Sequence, residues 1–387
     1  MHTQKLFYED CHQQQFTACV TNCWEMGKRF AVTLDRTAFY PEGGGQAADT
    51  GTLGNAKVLH VQESEGKIMH LCDQPLVPGQ TVSGNIDYRR RFDLMQQHSG
   101  EHIVSGIVHK LFGYHNVGFH IGADRMEVDF DGPIPIESLA QIEQMANEAV
   151  WANLPVRCWY PEKAELSALS YRTKRALPWP VRIVEIPGFD RCACCGIHVA
   201  STGEIGIIKI LSCVKFHTGV RLELTCGERA TKLLAEVFEQ NRQVSKVFSA
   251  KMLETGAAAA RISAQFGAEK LRSATLQRQL FDQIAAQYAG CNHILYYAPD
   301  LSGTAIRELC EKLSAVCTGT AAVYTQDNGR INICLVSLHE DLKEFGRAMT
   351  QTLDGKGGGK PGFFQGSLSS SRAETEAFFR QAGFQIS

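Results

Sequence analysis

Two histidines four residues apart, His98 and His102 in the stretch HSGEH, are residues whose types and spacing could do chemistry. On a helix of 3.6 residues per turn that spacing puts both imidazoles on one face, where a single cation can accept both. With 13 histidines in the chain, chance alone supplies roughly 0.4 such pairs, so the spacing needs support. A second pair gives it: Cys194 and His198, in RCACCGIHV, are also four apart. One thiolate with three imidazoles is a tetrahedral donor set suited to zinc. Cys213 and His217 repeat the spacing, but Cys213 lies in the apolar run IIKILSCV and reads as a buried structural thiol. Cys192 and Cys195 form a C-x-x-C, a redox pair where a thioredoxin-like βαβ context precedes it, and none does here. Glu101 completes H-x-x-E-H, the inverted zinc-protease signature, in which the glutamate is general base and a further acidic ligand lies downstream. Cys194 and His198 would then have no role. Glu101 is equally a candidate second partner for a ligating imidazole, or a solvated helix residue.

The elements that must hold these groups can be read from periodicity. Short apolar runs at Phe16–Val20, Ala31–Leu34, Val58–Val61 and Ile68–Leu71, separated by turn residues, predict a small β-barrel over residues 1–90. Leu94, Met95, Ile103, Ile107 and Leu111 recur at three and four, so a helix carries the HSGEH pair. A second helix over Ile136–Ala152 and strands at Val156–Tyr160, Val181–Ile186, Ile205–Leu211 and Val220–Leu224 make residues 91–226 an α+β domain holding the zinc donors. Residues 227–288 read as a helical arm with two apolar stripes and a break near Gly256 or Gly267. The arm carries nine Lys and Arg against six Asp and Glu, a net of +3. Residues 289–387 read as a C-terminal α/β domain, with strands Ala321–Tyr324 and Ile331–Val336 joined by the turn Asp327–Asn328–Gly329. The whole is of α+β class.

Composition excludes several function classes. With 39 Lys and Arg, 41 Asp and Glu, and a net charge of −2, the chain has no general basic coat, and any nucleic-acid contact must rest on local patches. No run approaches ~18 apolar residues, so no membrane span is expected. The first fifteen residues lack an apolar signal core, which with 14 cysteines points to a cytoplasmic protein with reduced thiols. The local basic clusters are Arg89, Arg90 and Arg91, then Arg172, Lys174 and Arg175, then Lys356 and Lys360 flanking Gly357, Gly358 and Gly359. These are the candidate phosphate contacts.

Four motifs in order, TAFYPEGGGQAADTG from Thr37, the HSGEH helix, CCGIHV, and GEIGIIKI followed by GVRLEL, resemble the editing half of alanyl-tRNA synthetase. They resemble still more the free-standing alanyl-tRNA editing proteins of the AlaX group. TLDGKGGGKPGFFQG is similar to the Gly-rich motif of the DHH-associated domain that ends alanyl-tRNA synthetase. The resemblance spans almost the whole chain, as in the long form of these editing proteins. It implies hydrolysis of seryl or glycyl esters mistakenly attached to tRNA(Ala), with His98, His102, Cys194 and His198 as ligands of one zinc ion. It also implies that Thr37 hydrogen-bonds a seryl hydroxyl and that Gln46 lines the same pocket. Cys195 and Ile197 depart from the family's Cys-Gly-Gly-Thr-His, and neither removes a ligand. A homodimer through the arm or the C-terminal domain is expected, although an intramolecular hairpin would also bury the arm's stripes. The rivals are the inverted-motif protease and a non-catalytic tRNA-binding protein. Four ligands fill a tetrahedral site while a catalytic zinc keeps one position open, so a loose ligand, a fifth ligand and a purely orienting ion all remain open.

Overall fold

A computed structural model of the chain describes residues 2–173, 177–327 and 329–387. They form two compact units, residues 1–244 and 245–387.

In the first unit, β1 (Gln15–Met26), β2 (Arg29–Leu34), β3 (Gly51–Leu53), β4 (Ala56–Ser64), β5 (Lys67–Cys72) and β6 (Thr81–Ile86) close into a barrel of order β1-β2-β5-β4-β3-β6. Alternation writes this directly: Phe16, Ala18 and Val20 point inward along β1, and Val82 and Ile86 along β6. The helix α1 (Tyr88–Phe112) follows, begun by Asp87, whose side chain caps the Arg90 amide, and ended by Gly113 at φ 74°. It is buried without interruption from Leu94 to Val108. The spacing predicts one apolar stripe, but polar Gln97, His98, Ser99, Glu101, His102 and Ser105 are buried as well. They can be, because α1 runs through the middle of the unit. It packs on α2 (Leu139–Trp151) and on strands of two sheets. One sheet has the order β12-β13-β8-β7, from β7 (Asn116–Ile121), β8 (Met126–Phe130), β12 (Ile208–Phe216) and β13 (Gly219–Cys226). The other is β9 (Arg157–Trp159), β10 (Ile183–Ile186) and β11 (Asp190–Ala193), all antiparallel. The Gln97 amide exchanges two 2.9 Å hydrogen bonds with the Cys226 backbone, which fixes the helix against β13. One apolar core joins barrel, α1, α2 and the larger sheet. The helix α3 (Gly227–Val247) comes next.

The second unit begins its regular structure with α4 (Thr255–Gln287). The break expected near Gly256 or Gly267 falls instead at residues 248–254, where Ser249 takes φ 48° and the Ala250 amide bonds the Ser245 carbonyl. Both glycines lie within α4, an affordable cost of about 1 kcal/mol each in a long helix. A six-stranded sheet of order β17-β18-β16-β15-β14-β19 follows, from β14 (Ile294–Tyr297), β15 (Thr320–Asp327), β16 (Arg330–Ser337), β17 (Gly355–Lys360), β18 (Phe363–Leu368) and β19 (Gln385–Ile386). Helices α5 (Gly303–Ser314), α6 (Lys343–Thr352) and α7 (Arg372–Gln381) complete the unit. Its two apolar clusters share the residues of the sheet between them. The turn expected at 327–329 includes Asn328, which lies outside the described residues. The run Lys356–Lys360, expected as a phosphate-cradling loop, is the edge strand β17, paired with β18. Glycine is what lets it pair so closely: a Cβ on Gly357 would stand 2.5 Å from the Phe364 ring, and one on Gly359 1.8 Å from the Phe363 carbonyl oxygen.

Candidate metal centre

His98 and His102 leave one face of α1, and Cys194 and His198 come from the loop that follows β11. Their four donor atoms lie within 4.8 Å of one another. His98 Nε2 stands 3.5 Å from Cys194 Sγ, and the ring centroids are 4.5 Å (His98–His198), 4.6 Å (His102–His198) and 5.4 Å (His98–His102) apart. Each imidazole uses Nδ1 elsewhere. His98 Nδ1 meets Gln46 Oε1 at 2.9 Å, His102 Nδ1 meets Asp190 Oδ2 at 2.8 Å, and His198 Nδ1 meets Ser99 Oγ at 3.2 Å. With each ring neutral and Nδ1 donating, every Nε2 carries its lone pair toward the common centre. His198 Nε2 is buried and has no hydrogen-bond partner among the described residues. A buried acceptor left open beside two imidazoles and a thiol is what a cation would satisfy, so the donor set fits zinc.

Cys194 and His198 are poised as ligands, while His102 would give up its Nε2 proton to a cation. Burial alone would raise the Cys194 thiol, but the adjacent imidazoles, His98 first and then His102 and His198, hold it well below its ordinary range. Burial, followed by the neighbouring His98, pushes His198 down to about 3 and keeps it neutral. Burial would also lower His102, yet the Asp190 carboxylate and the Cys194 thiol raise it well above its ordinary value. Asp190 in turn is held low against its own burial by His102 and Arg172.

The ligand-bearing loop is clamped from several sides. Arg182 Nη1 donates to the Cys194 and Gly196 carbonyls at 3.0 and 2.8 Å, and Tyr8 donates to the Cys195 carbonyl at 2.6 Å. The Gln46 Oε1 that receives His98 also receives the Ile197 amide at 3.2 Å. Gln46 is delivered by a tight turn, in which Gly43 and Gln46 exchange backbone hydrogen bonds and Gly44 and Gly45 take φ 60° and 82°. Side chains there would also collide, since a Cβ on Gly45 would stand 2.5 Å from Phe119.

A cavity of about 670 Å³ opens over His98, His102 and Cys194, lined among others by Gly44, Gly45, Glu101, Phe119, Tyr160 and Arg182. The sequence-derived candidates fall differently around it. Gln46 is buried behind His98, as described. Glu101 is buried, not solvated: its Oε1 accepts from Ser105 and Asn116, and its Oε2 stands 3.9 Å from His102 Nε2. Thr37, expected beside the bound amino acid, is 0% exposed and is not among the cavity-lining residues. Its hydroxyl lies 2.9 Å from His70 Nε2 and accepts the Phe39 amide at 3.1 Å.

One of the basic candidates is corrected. Arg91 is fully buried, its guanidinium shared among Asp49 and the Gln13 and Ala38 carbonyls, so it cannot meet a phosphate. Arg172 lines the cavity and also grips Asp190 through Nε and Nη2 at 2.7 and 2.8 Å, behind His102. Arg89 is exposed and paired with Glu228, and Arg90 donates to the Ala48 carbonyl. Lys356 and Lys360 are exposed on β17. Lys174 and Arg175 lie outside the described residues. Sequence reasoning missed Asp190, Arg172 as its partner, Arg182 and Tyr8. The alternation along β11, which buries Asp190 and Cys192, was the available signal for the first.

Residues 181–222 match the family described as "Threonyl and Alanyl tRNA synthetase second additional domain", and residues 3–90 match "tRNA synthetases class II (A)". The chain is 35% identical over 260 residues to an alanine–tRNA ligase of Ignicoccus hospitalis, covering 64% of this chain and 28% of the ligase. It is 28% identical over 409 residues to the mouse alanyl-tRNA editing protein Aarsd1, and 29% identical to that of the rat, covering 97% of both chains in each case. Among solved structures, the C-Ala domain of Aquifex aeolicus alanyl-tRNA synthetase covers 24% of this chain and 92% of its own, at 17% identity and a TM-score of 0.21. That likeness is too slight to argue from.

Proposed function

The chain belongs to the alanyl-tRNA editing proteins of AlaX type, and from that premise we propose that it is a deacylase acting on tRNA(Ala) mischarged with serine or glycine. The observation that supports the reading is the convergence of three imidazoles and one thiol, of which His98, His102 and Cys194 line the cavity, each imidazole oriented from behind. His98, His102, Cys194 and His198 would hold one zinc ion, which when bound supplies a Lewis acid for an ester carbonyl or a charge that orients the substrate's amino group.

The protein's own groups do the rest. Gln46, Asp190 and Ser99 keep the three imidazoles in one tautomer, so the donors need no rearrangement to bind. Arg182, Tyr8 and Tyr40 hold the carbonyls of the Cys194 loop, which limits its movement as an ester enters. Glu101, anchored by Ser105 and Asn116, presents a carboxylate edge beside His102 where a water or an amino group can be held. The protease alternative leaves Cys194 and His198 without a role, although both join the donor cluster.

Size cannot exclude alanine, which is smaller than serine, so selectivity must come from a polar partner for the seryl hydroxyl. For Thr37 to be that partner, its hydroxyl would have to leave His70.

The test is loss of the seryl, glycyl and alanyl groups from the three charged forms of tRNA(Ala). Wild type should release serine or glycine faster than alanine. Cys194→Ala and His102→Ala should lose activity and zinc together. Full activity in metal-free protein would overturn the zinc assignment, and peptide hydrolysis without ester hydrolysis would return the protease reading.

A further inference from the structure

We propose that Tyr160 is the platform on which the terminal base of the tRNA acceptor end stacks, an inference that rests on the deacylase reading for its ligand. A seryl or glycyl group occupies a small part of a cavity of about 670 Å³. The remainder is of the size that takes a nucleoside. The ester carbon must reach the donors, and the base is carried one ribose further out.

The cavity's aromatic rings differ in exposure: Phe119 and Tyr8 are half-buried and Tyr160 is exposed. Phe119 stands innermost, its centroid 5.1 Å from the His98 ring, so it walls the space that the ester and ribose enter. Tyr8 comes next and is already committed. Its hydroxyl donates to Cys195, the Arg182 guanidinium covers its ring at 4.4 Å, and Phe7 abuts it at 4.6 Å. Tyr160 lies 6.3 Å from Tyr8 at 70° and is 50% exposed. It directly follows β9, whose sheet also carries β11 and so leads into Cys194. Platform and Cys194 loop are therefore positioned by one small sheet. Single-stranded RNA ends are held in this way, by stacking on aromatic side chains rather than by groove contacts. Lys5 also lines the cavity, with Nζ 5.9 Å from the Tyr8 centroid, where it can meet the terminal phosphate in exchange for Glu63.

Stacking is indifferent to which tRNA brings the base. The platform would supply affinity for any acceptor end and leave recognition of tRNA(Ala) to other surfaces.

The experiment uses the full-length protein and an acceptor-stem minihelix whose terminal base is 2-aminopurine. Wild type and Tyr160→Phe should quench its fluorescence on binding. Tyr160→Ala should not, and should bind roughly five- to a hundredfold more weakly. Unchanged zinc content in both variants shows that the fold is kept. Quenching and affinity retained in Tyr160→Ala, or no quenching by wild type, would overturn the proposal. Release of serine from Ser-tRNA(Ala), measured separately, reads the deacylase assignment. Quenching without release supports the platform while removing the enzyme, and release without quenching does the reverse.

Discussion

Asp190 accepts a hydrogen bond from His102 Nδ1 at 2.8 Å while Arg172 binds both oxygens of the same carboxylate. A histidine ligand, a carboxylate and a guanidinium thus form one buried chain, which fixes the tautomer of His102 and keeps Asp190 ionised. Asp190→Asn preserves the shape and removes the charge. It is expected to weaken zinc binding by about 10- to 100-fold, read by competition with a chromophoric chelator. Arg172→Ala should shift zinc affinity in the same direction and leave the salt dependence of tRNA binding unchanged. A phosphate contact would give the opposite pair of results.

Gly196→Ala tests the packing of the donor loop. A Cβ there would lie 2.1 Å from His98 Cε1 and 2.4 Å from Nδ1, so the ring must swing away from Gln46. Zinc content after dialysis against a weak chelator should fall well below one ion per chain. Far-ultraviolet circular dichroism should stay that of wild type.

Lys356 and Lys360 are the exposed basic candidates of the second unit. If they meet phosphates, each Lys→Ala change should lower the slope of log K against log salt for tRNA binding by about one. Arg91→Ala should leave that slope alone and lower stability instead, because it abandons the buried Asp49 carboxylate at a cost of about 3–5 kcal/mol. Urea denaturation distinguishes the two classes.

His70 gives the barrel a pH-dependent stability. Its Nδ1 donates to the Val32 carbonyl at 3.1 Å, so Nε2 is left to accept from Thr37, and burial pushes its pKa from 6.5 to about 4. The folded barrel keeps this ring neutral, whereas the unfolded chain takes up a proton below pH 6.5. The contribution is therefore complete above pH 6.5 and is lost as pH falls toward 4, by about 3 kcal/mol. His70→Gln should flatten the urea midpoint across that window relative to wild type.

Thr37→Val leaves His70 Nε2 and the Phe39 amide without a partner in the core. A loss of about 1–3 kcal/mol is expected by urea denaturation. The ratio of seryl to alanyl release should be measured on the same protein. A changed ratio at unchanged stability would move the hydroxyl from His70 to the substrate.

The donor residues were legible because their spacing is local, four positions on a helix and four in a loop. Their supports were not. Asp190 is 88 residues from His102 in the chain, and no local pattern ties a carboxylate to an imidazole so distant. The Arg89–Arg91 run misled because charge suggests surface. Arg91 nevertheless stands three and four residues before Leu94 and Met95, and so shares the face that α1 buries. The KGGGK run suggests a loop by composition, and only its pairing with β18 makes it a strand. Propensity in strands follows the neighbour more than the residue.

That strand carries a liability of its own. Among the described residues β17 pairs with β18 alone, so its outer row of amides and carbonyls is a template on which another copy could crystallise its own edge. Three glycines make poor material for such growth, and Lys356 and Lys360 repel an identical edge approaching from outside. Gly358, unlike its neighbours, has nothing within 4 Å of where a Cβ would sit. Valine would fit there without a clash, and the chain would become prone to assemble into sheets as its concentration rises.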